Sequence, residues 1–583
     1  MIYQKLPSYS IEEKKKLASQ IREEIRLGCE KNGGHYASNL GIVDATISLL
    51  SIFDPLKDDI IFDVGHQCYA YKYLTGRELS DIRNMNSYAG FQNREESPFD
   101  KTSNGHSGDS ISQAIGMHLA KKDNNDDSFT ISIIGESSLE NGVALEGLLD
   151  LALRPSFSHF LFILNENSYS IYQNSERFEK EISRKKEKLF LFAKEHEGIE
   201  KEKYLTLLEE EKQKLFPDFF KVNPLFSFVK TFVILGHDFF DLDATLQKAK
   251  EASLKGPVFL LLLTEKGHGD ERIKKDQEGF YHAVNPSFAP SPLFMPSKIK
   301  ASIIERLLQE HEDLYLISPA MRTSSFLNTC FDNFPKQCID ARIAEEHAML
   351  LSAGLLIKGK RVVLDIYSTF LQRAIDELIE NILRQKLPLV IFLERASLVE
   401  DGSSHQGIFD VALLSSLPNL KMYAPYDKTS YETVSKHAYE DINHCSIIRV
   451  PREYFLEDAA VPCYEPIQFL KRENNKKLTL GIGPRGYLLA KDVKDCDIAM
   501  VLDLTLEDIS SLLNYEEIEV FDPYQTEAGF VKNLKEKLFD RDAHPKLIIH
   551  SLKSKFYPHG SLQDQYERLQ KIEWNLPNKE GGK

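Results

Sequence analysis

The stretches SFTISIIGE (128–136) and HFLFILNEN (159–167) decide the fold, because each is an apolar run that ends in polar residues. Neither run alternates polar and apolar residues, which is typical of strands buried on both faces of a parallel sheet. A helical stretch separates them, so we expect one right-handed βαβ crossover that brings both strand ends to the same edge of the sheet. Ligands of α/β proteins bind at that edge, which makes Glu136 and Asn167 the first candidate site residues.

These two residues suit a metal ion. Mg²⁺ that bridges a diphosphate accepts oxygen ligands of three kinds found here: the carboxylate of Glu136, the amide oxygen of Asn167 and a nearby carbonyl oxygen, which we assign to Tyr169. A helix expected to begin near Leu139 would offer unpaired N–H groups to the same anion. The alternative is a polar turn after each strand that binds nothing.

The composition excludes several classes of protein. The chain has 583 residues, with 72 Lys and Arg against 88 Asp and Glu, a formal charge of −16. This balance argues against nucleic acid or an anionic membrane as the principal partner. The seven cysteines include no CxxC pair, so neither a disulfide framework nor a zinc site is indicated. Without an apolar N-terminal region or a run of about 18 apolar residues, we expect a cytoplasmic protein that does not cross a membrane.

We predict three successive α/β domains with mostly parallel sheets, because short apolar runs alternate with helical stretches along the whole chain. The segment NPSFAPSPLFMPSK (285–298) is rich in proline and is typical of an interdomain linker. Ser10 and Glu13 form a capping-box pattern, which predicts a first helix over 11–30. The predicted domains are residues 1–285, 299–460 and 466–583.

The segment 174–215 differs from its surroundings. It is dense in Glu and Lys, and its apolar residues are sparse. We interpret it as an exposed helical insertion in the first domain, or equally as a mobile flap.

Further motifs follow the first stretches in a recognisable order. Before residue 128 these are KNGGHYASNLG (31–41), DVGHQCYAY (63–71) and NGHSGDS (104–110); after residue 340 they are RIAEEHAML (342–350), DIYSTFLQRAIDE (365–377), ERASLVEDGSSHQGIFD (394–410) and RVPR (449–452). In the order of these motifs, and nearly in their spacing, the chain resembles the thiamine-diphosphate-dependent 1-deoxy-D-xylulose-5-phosphate synthases. The resemblance implies a transketolase-like α/β fold.

That resemblance implies a transferase that condenses pyruvate, with decarboxylation, and D-glyceraldehyde 3-phosphate to 1-deoxy-D-xylulose 5-phosphate and CO₂. It implies thiamine diphosphate and Mg²⁺ as cofactors, a homodimer, and a role in isoprenoid and thiamine biosynthesis. Glu345 would protonate the aminopyrimidine of the cofactor, which requires burial to keep the acid protonated near neutral pH. The other implied catalytic residues are His35, His282, Asp401 and His405; the cofactor-binding residues are His66, Gly105, His106, Ser107, Ser137, Ser138, Asn167, Glu345 and Phe370; the acceptor-binding residues are Tyr367, Arg395 and Arg452.

Several residues depart from the family pattern at the diphosphate end. Glu136 stands in place of Asp, Ser137 in place of Gly and Asp270 in place of Tyr. A longer carboxylate moves its oxygens by about 1.5 Å, whereas Mg²⁺ needs regular octahedral geometry. Because the residues implied for cofactor activation and acceptor binding are all present, we favour a remodelled working site. A related carboligase or transketolase with another donor or acceptor, and a catalytically silent homologue, are the alternatives.

Overall fold

The computed structural model describes residues 1–85, 87–167, 177–217, 229–276, 280–288, 296–453, 461–574 and 576. The chain forms two compact units, Met1–Pro290 and Ser291–Lys583. Each unit combines helices with largely parallel sheets, so the predicted α/β class is confirmed.

A parallel five-stranded sheet organises the first unit, in the order β2-β3-β4-β6-β5. Its middle strand, FLFILNE, is buried along its whole length because apolar clusters cover both faces of the sheet. A short antiparallel pair, β1 with β7, lies outside the sheet. The strands of this unit are β1 (Gly34–His35), β2 (Asp59–Phe62), β3 (Thr130–Gly135), β4 (Phe160–Glu166), β5 (Lys230–Leu235), β6 (Val258–Leu263) and β7 (Ala283–Val284).

The helices of the first unit begin with the predicted one. The Ser10 side chain caps it and Glu13 returns to the Ser10 backbone, so the capping box is confirmed. The helices are α1 (Ile11–Asn32), α2 (Tyr36–Gly41), α3 (Val43–Ile52), α4 (Tyr69–Leu74), α5 (Ser110–Asp123), α6 (Glu136–Leu139), α7 (Gly142–Ala152), α8 (Arg177–Glu195), α9 (Lys201–Leu215) and α10 (Phe239–Ser253).

The charged segment 174–215 is helical from Arg177 onward, as α8 and α9. It is not simply exposed, because its few apolar residues recur at helical spacing and pack into the core that includes β4. Residues 168–176 lie outside the described part of the chain.

The second unit contains a parallel six-stranded sheet in the order β12-β13-β11-β10-β8-β9, and a five-stranded sheet in the order β14-β16-β15-β17-β18. In the latter only β14 is antiparallel to its neighbour. The strands are β8 (Leu314–Ser318), β9 (Cys338–Asp340), β10 (Arg361–Tyr367), β11 (Val390–Glu394), β12 (Leu420–Tyr423), β13 (Cys445–Val450), β14 (Ile467–Lys471), β15 (Lys477–Gly481), β16 (Asp497–Val501), β17 (Glu517–Thr526) and β18 (Lys546–Leu552).

Helices of the second unit start inside the proline-rich stretch, since Pro296 is the first residue of α11, where a missing N–H costs nothing. The helices are α11 (Pro296–Glu310), α12 (Asn328–Asn333), α13 (Glu345–Ile357), α14 (Ser368–Leu371), α15 (Ile375–Glu377), α16 (Asp410–Leu414), α17 (Lys428–Glu440), α18 (Gly483–Ala490), α19 (Phe530–Asp540) and α20 (Leu562–Arg568).

A buried lysine joins two strands of the six-stranded sheet. Lys300 on α11 lies 2.5 Å from Asp365 of β10 and 2.9 Å from Glu394 of β11, and it donates to the Ser325 carbonyl at 3.0 Å. Burial opposes its charge, but the two carboxylates outweigh this and raise the pKa of Lys300. The ammonium group therefore compensates two buried negative charges at once.

Replacing Lys300 with methionine is expected to destabilise the second unit by about 3–5 kcal/mol, because two buried carboxylates lose their counter-ion. Urea unfolding followed by fluorescence would measure the loss. Lys298→Met on the same helix is the control, since it also replaces a lysine with methionine, at a position where the ammonium group lies 5.0 Å from the centre of the Phe326 ring. An equal loss in both variants would contradict the compensating role of Lys300.

Candidate active site

Glu136 and Asn167 reach the same edge of the first sheet, as the crossover predicts. Strands β3 and β4 are adjacent and parallel, with Gly135 opposite Asn165, and the two candidate ligands follow these strand ends. Asn167 is buried, and Glu136 is the first residue of the short helix α6. Tyr169, the third predicted ligand, lies outside the described residues.

The prediction that a helix begins near Leu139 is wrong. Helix α6 ends at Leu139, and the longer helix α7 begins at Gly142. The reason is Asn141, which is fully buried and whose Oδ1 accepts a hydrogen bond from the Val143 N–H at 3.1 Å. Asparagine is a strong helix cap, so it interrupts the helix at that residue.

Two buried lysines lie close to this edge. Lys266 follows β6, and burial lowers its pKa to about 8 although Glu136 acts in the opposite direction. Lys186 on α8 donates to the Thr264 carbonyl at 3.1 Å and lies 3.9 Å from Glu166. Neither lysine was predicted as a site residue. Lys186 in particular lies in a segment rich in Glu and Lys, where nothing in the sequence distinguishes it from the other lysines.

A buried aspartate holds the predicted cofactor turn Gly105–Ser107. The Asp63 carboxylate, just after β2, accepts hydrogen bonds from the Gly108 N–H at 2.9 Å and the Ser110 N–H at 3.2 Å. Burial raises the Asp63 pKa, while these hydrogen bonds and one from the Ser138 hydroxyl lower it. Ser138 therefore supports the turn through Asp63. The sequence signal was a polar residue that directly follows a strand and precedes a glycine.

Glycine is required next to this turn. Gly108 has φ +87°, and a Cβ there would lie 2.7 Å from Oδ1 of Asn141. The turn and the start of α7 thus fit together only without a side chain at this position.

Three of the five predicted histidines cluster in the first unit. The ring of His35 lies 5.1 Å from that of His66 and 5.7 Å from that of His282. The buried Asn39 amide donates to the carbonyls of His35 at 2.6 Å and His66 at 2.7 Å, which fixes both turns. Burial, reinforced by the charge of Lys266, lowers the pKa of His66 to about 3 and that of His282 well below its usual range. Both rings are therefore neutral at physiological pH.

Glu345 lies at the start of α13 in the second unit, with 4% of its surface exposed. Burial raises its pKa to about 7, and the charge of Arg373 opposes the shift only in part. Its Oε2 is buried without a hydrogen-bond partner among the described residues. A carboxyl group in this environment keeps its proton near neutral pH, as the sequence analysis required.

Aromatic contacts group several predicted residues of the second unit. The Phe370 ring stacks on that of Tyr367 at 5.2 Å and meets that of His405 edge-on at 5.7 Å. The Arg395 guanidinium lies 4.8 Å from the centre of the Tyr367 ring. Tyr367 is the last residue of β10, Phe370 lies on α14, and Arg395 and His405 lie in the segment after β11.

The two predicted arginines are held by neighbouring carboxylates. Arg452 Nε lies 2.7 Å from Glu400 Oε2, and Arg395 lies 3.5 Å from Asp401. Burial raises the pKa of Glu400, but the Arg452 and Arg395 guanidinium groups outweigh it and the net pKa is lowered. Glu400 is thus ionised between two cations, and sequence reasoning did not single it out.

Family models match most of the chain: "1-deoxy-D-xylulose-5-phosphate synthase" over residues 2–264 and "Transketolase, pyrimidine binding domain" over residues 296–455. A 1-deoxy-D-xylulose-5-phosphate synthase from Clostridium kluyveri is 35% identical over 76% of this chain and 73% of its own length. The chain belongs to the 1-deoxy-D-xylulose-5-phosphate synthase family. The Carboxydothermus hydrogenoformans synthase is 31% identical over 94% of this chain and 92% of its own. A transketolase structure from Campylobacter jejuni covers 96% of this chain and 98% of its own at 15% identity, with a TM-score of 0.41.

Family membership makes the chain a thiamine-diphosphate-dependent transferase of isoprenoid biosynthesis, as the motifs predicted. The residues present fit that cofactor. In the described part of the chain, Ser137 Oγ and His66 Nδ1 are buried without hydrogen-bond partners, and Glu345 Oε2 is equally unsatisfied. Buried polar atoms of this kind are costly unless a ligand satisfies them. Among the described helices, none is long and apolar enough to span a bilayer.

The pH dependence of stability provides a test of Glu345. Its pKa is about 7 when folded and 4.5 ordinarily, so the folded state binds the proton more tightly. This contribution to stability is complete below about pH 4.5 and is lost as the pH rises through about 7. Glu345→Gln cannot ionise, so its stability lacks this pH dependence. The melting temperature of the variant relative to that of the wild type is therefore expected to rise from about pH 4.5 to about pH 7, and the difference should stay constant at higher pH.

Thermal unfolding of the cofactor-free protein from pH 4.5 to 8 would measure this difference. Glu346→Gln removes a carboxyl from the same helix start and is the control for lost charge. Parallel profiles for the wild type and Glu345→Gln would contradict the raised pKa.

Proposed function

We propose that the chain condenses pyruvate, with loss of CO₂, and D-glyceraldehyde 3-phosphate to 1-deoxy-D-xylulose 5-phosphate. The observation that supports this most directly is Glu345, a buried acid that is protonated near neutral pH in a chain of this family. Thiamine diphosphate, when bound, supplies the nucleophilic carbon that protein side chains lack. Glu345 would hold at Oε2 the proton that the aminopyrimidine ring of the cofactor requires. Phe370 would stack against the same ring.

Residues of the first unit bind the diphosphate and Mg²⁺ in this proposal. Glu136 and Asn167 supply oxygen ligands for the metal, and the Gly105–Ser107 turn, with Ser137, donates to phosphate oxygens. The longer carboxylate of Glu136 adds reach, and α6 carries it directly out of β3. Lys186 and Lys266 offset the negative charge of the carboxylates at this edge.

Two histidines of the first unit act on the reacting carbons. His35 and His282 can each donate a hydrogen bond to a carbonyl oxygen, and the neutral His282 does so without bringing a second charge into the site. His66 approaches the cofactor from the same cluster. His405 and Asp401 have the corresponding role in the second unit, where His405 contacts Phe370.

Arg395, Arg452 and Tyr367 bind the phosphate of the acceptor. Guanidinium groups match a phosphate dianion in both charge and fork geometry. Burial of the Arg395 side chain beside Tyr367 restricts its rotamers, so less entropy is lost when the phosphate binds.

The domain roles and assembly belong to the same proposal. Residues 1–285 bind the diphosphate, residues 299–460 bind the pyrimidine, and residues 466–583 form a C-terminal transketolase-like α/β domain. The working form is a homodimer in the cytoplasm that binds small molecules and no nucleic acid.

Product analysis tests the activity. Purified protein incubated with thiamine diphosphate, Mg²⁺, pyruvate and glyceraldehyde 3-phosphate is expected to yield 1-deoxy-D-xylulose 5-phosphate, detected by mass spectrometry. Glu345→Gln should abolish turnover while it retains cofactor binding, because glutamine keeps the shape but cannot supply the proton. Another ligated product would indicate a related carboligase, and failure to bind the cofactor would indicate a silent homologue.

Metal dependence tests the remodelled diphosphate end. Calorimetric titration with thiamine diphosphate is expected to show binding in Mg²⁺ that is at least tenfold weaker in chelator. Glu136→Ala should lose this difference, whereas Glu136→Asp should keep it. Glu140→Ala is the matched control, because it removes a carboxylate four residues after Glu136, directly beyond the end of α6, without removing a proposed metal ligand.

Equal affinity with and without metal in the wild type would remove Mg²⁺ from the proposal. Normal metal dependence in Glu136→Ala would place the metal on other residues.

A further inference from the structure

The two arginines proposed for the acceptor phosphate already have a shared anionic neighbour. Both oxygens of the Glu400 carboxylate contact Arg452 Nε, at 2.7 Å and 3.0 Å. The charge of the same carboxylate also acts on Arg395. Any acceptor that binds Arg452 through its Nε must therefore compete with Glu400 for this guanidinium group.

The backbone around Glu400 is fixed by the C-terminal part of the second unit. The Glu400 carbonyl accepts a hydrogen bond from the Gly560 N–H at 3.1 Å, and the Gln565 amide donates to the Val399 carbonyl at 2.9 Å. Gly402, with φ +77°, packs so closely that a Cβ would lie 2.7 Å from the His559 backbone nitrogen. The loop therefore holds Glu400 beside the arginines.

The Glu400 side chain nevertheless has room to move. It is 28% exposed, and its described contacts are with Arg452, an arginine that is itself 20% exposed. A rotamer change can release the carboxylate to water without disturbing the fixed backbone, because partly exposed ion pairs contribute little to stability.

Competition with Glu400 separates ligands by charge. A monocarboxylate that displaces Glu400 exchanges one singly charged anion for another, so it gains almost nothing. A phosphate dianion carries about twice the charge and can bind both guanidinium groups, so it gains from the exchange. A subsite that contains its own carboxylate thus rejects singly charged anions, because each must displace a group of the same charge.

We propose that Glu400 is a specificity-determining residue, a resident counter-ion that reserves the acceptor subsite for phosphate dianions and excludes monocarboxylates such as the donor. This inference rests on the proposed role of Arg395 and Arg452. It adds that the unliganded subsite is neutralised from within the chain. The affinity of the subsite for the acceptor phosphate is lower as a result, because the acceptor must displace Glu400.

Glu400→Gln tests the inference because it removes the charge and keeps the shape. The KM for glyceraldehyde 3-phosphate is expected to fall about threefold to tenfold, as for loss of a competing, partly exposed charge. Acetate, which should not inhibit the wild type competitively against this acceptor, should do so in the variant. Glu380→Gln breaks an exposed Arg–Glu pair, 2.8 Å from Arg384, and is the matched control that should leave both measurements unchanged.

A binding measurement without turnover completes the test. Inorganic phosphate is expected to raise the melting temperature of the wild-type protein and acetate is not, whereas both should raise it in Glu400→Gln. An unchanged KM together with continued indifference to acetate would overturn the role of Glu400.

Arg452→Ala distinguishes this failure from failure of the proposed function. If Arg452→Ala raises the KM for glyceraldehyde 3-phosphate at least tenfold while Glu400→Gln changes nothing, only the inference about Glu400 is wrong. If Arg452→Ala leaves the KM unchanged, the arginine does not bind the phosphate. The proposed role of Arg452 and the inference about Glu400 are then both wrong.

Discussion

Compensation of buried carboxylates by buried lysines is the constraint on which both units depend. Parallel strands converge at their carboxyl ends, and acidic residues lie at or just after several of these ends, as Asp63, Glu136 and Glu394 do. In the second unit Lys300 joins Asp365, two residues before Tyr367, and Glu394, which directly precedes Arg395. In the first unit Lys186 and Lys266 serve the corresponding edge. Without these cations the carboxylates would take up protons or the strand ends would separate, and the site residues would lose their positions.

The sequence predicted the strands and the crossover because continuous apolar runs and their polar ends are local signals. The buried state of Glu345 was predicted for the same reason, since its apolar neighbours are adjacent in the chain. Three features could not be found in this way. Asp63 binds the turn at residue 108, Lys186 reaches Thr264, and Glu400 meets Arg452, and each contact joins residues 45 or more positions apart. Such contacts depend on tertiary packing, which no short pattern encodes.

One departure from the family pattern, Asp270, is accommodated by local partners. Asp270, which stands where the family usually has tyrosine, accepts hydrogen bonds from Arg272 at 2.6 Å and from the Tyr36 hydroxyl at 2.8 Å, and Arg272 holds its pKa at about 2. Asp270 thus has structural partners in this chain, whereas the Ser137 hydroxyl is buried without a hydrogen-bond partner among the described residues.

Arg395 carries a cost that its side chain must justify. Its φ is +55°, in the left-handed region where an L-residue costs about 1–2 kcal/mol and glycine costs nothing. Glycine at this position would relax the backbone. The contacts of the Arg395 side chain with the Tyr367 ring and with Asp401 must therefore offset the strain of the backbone that carries them.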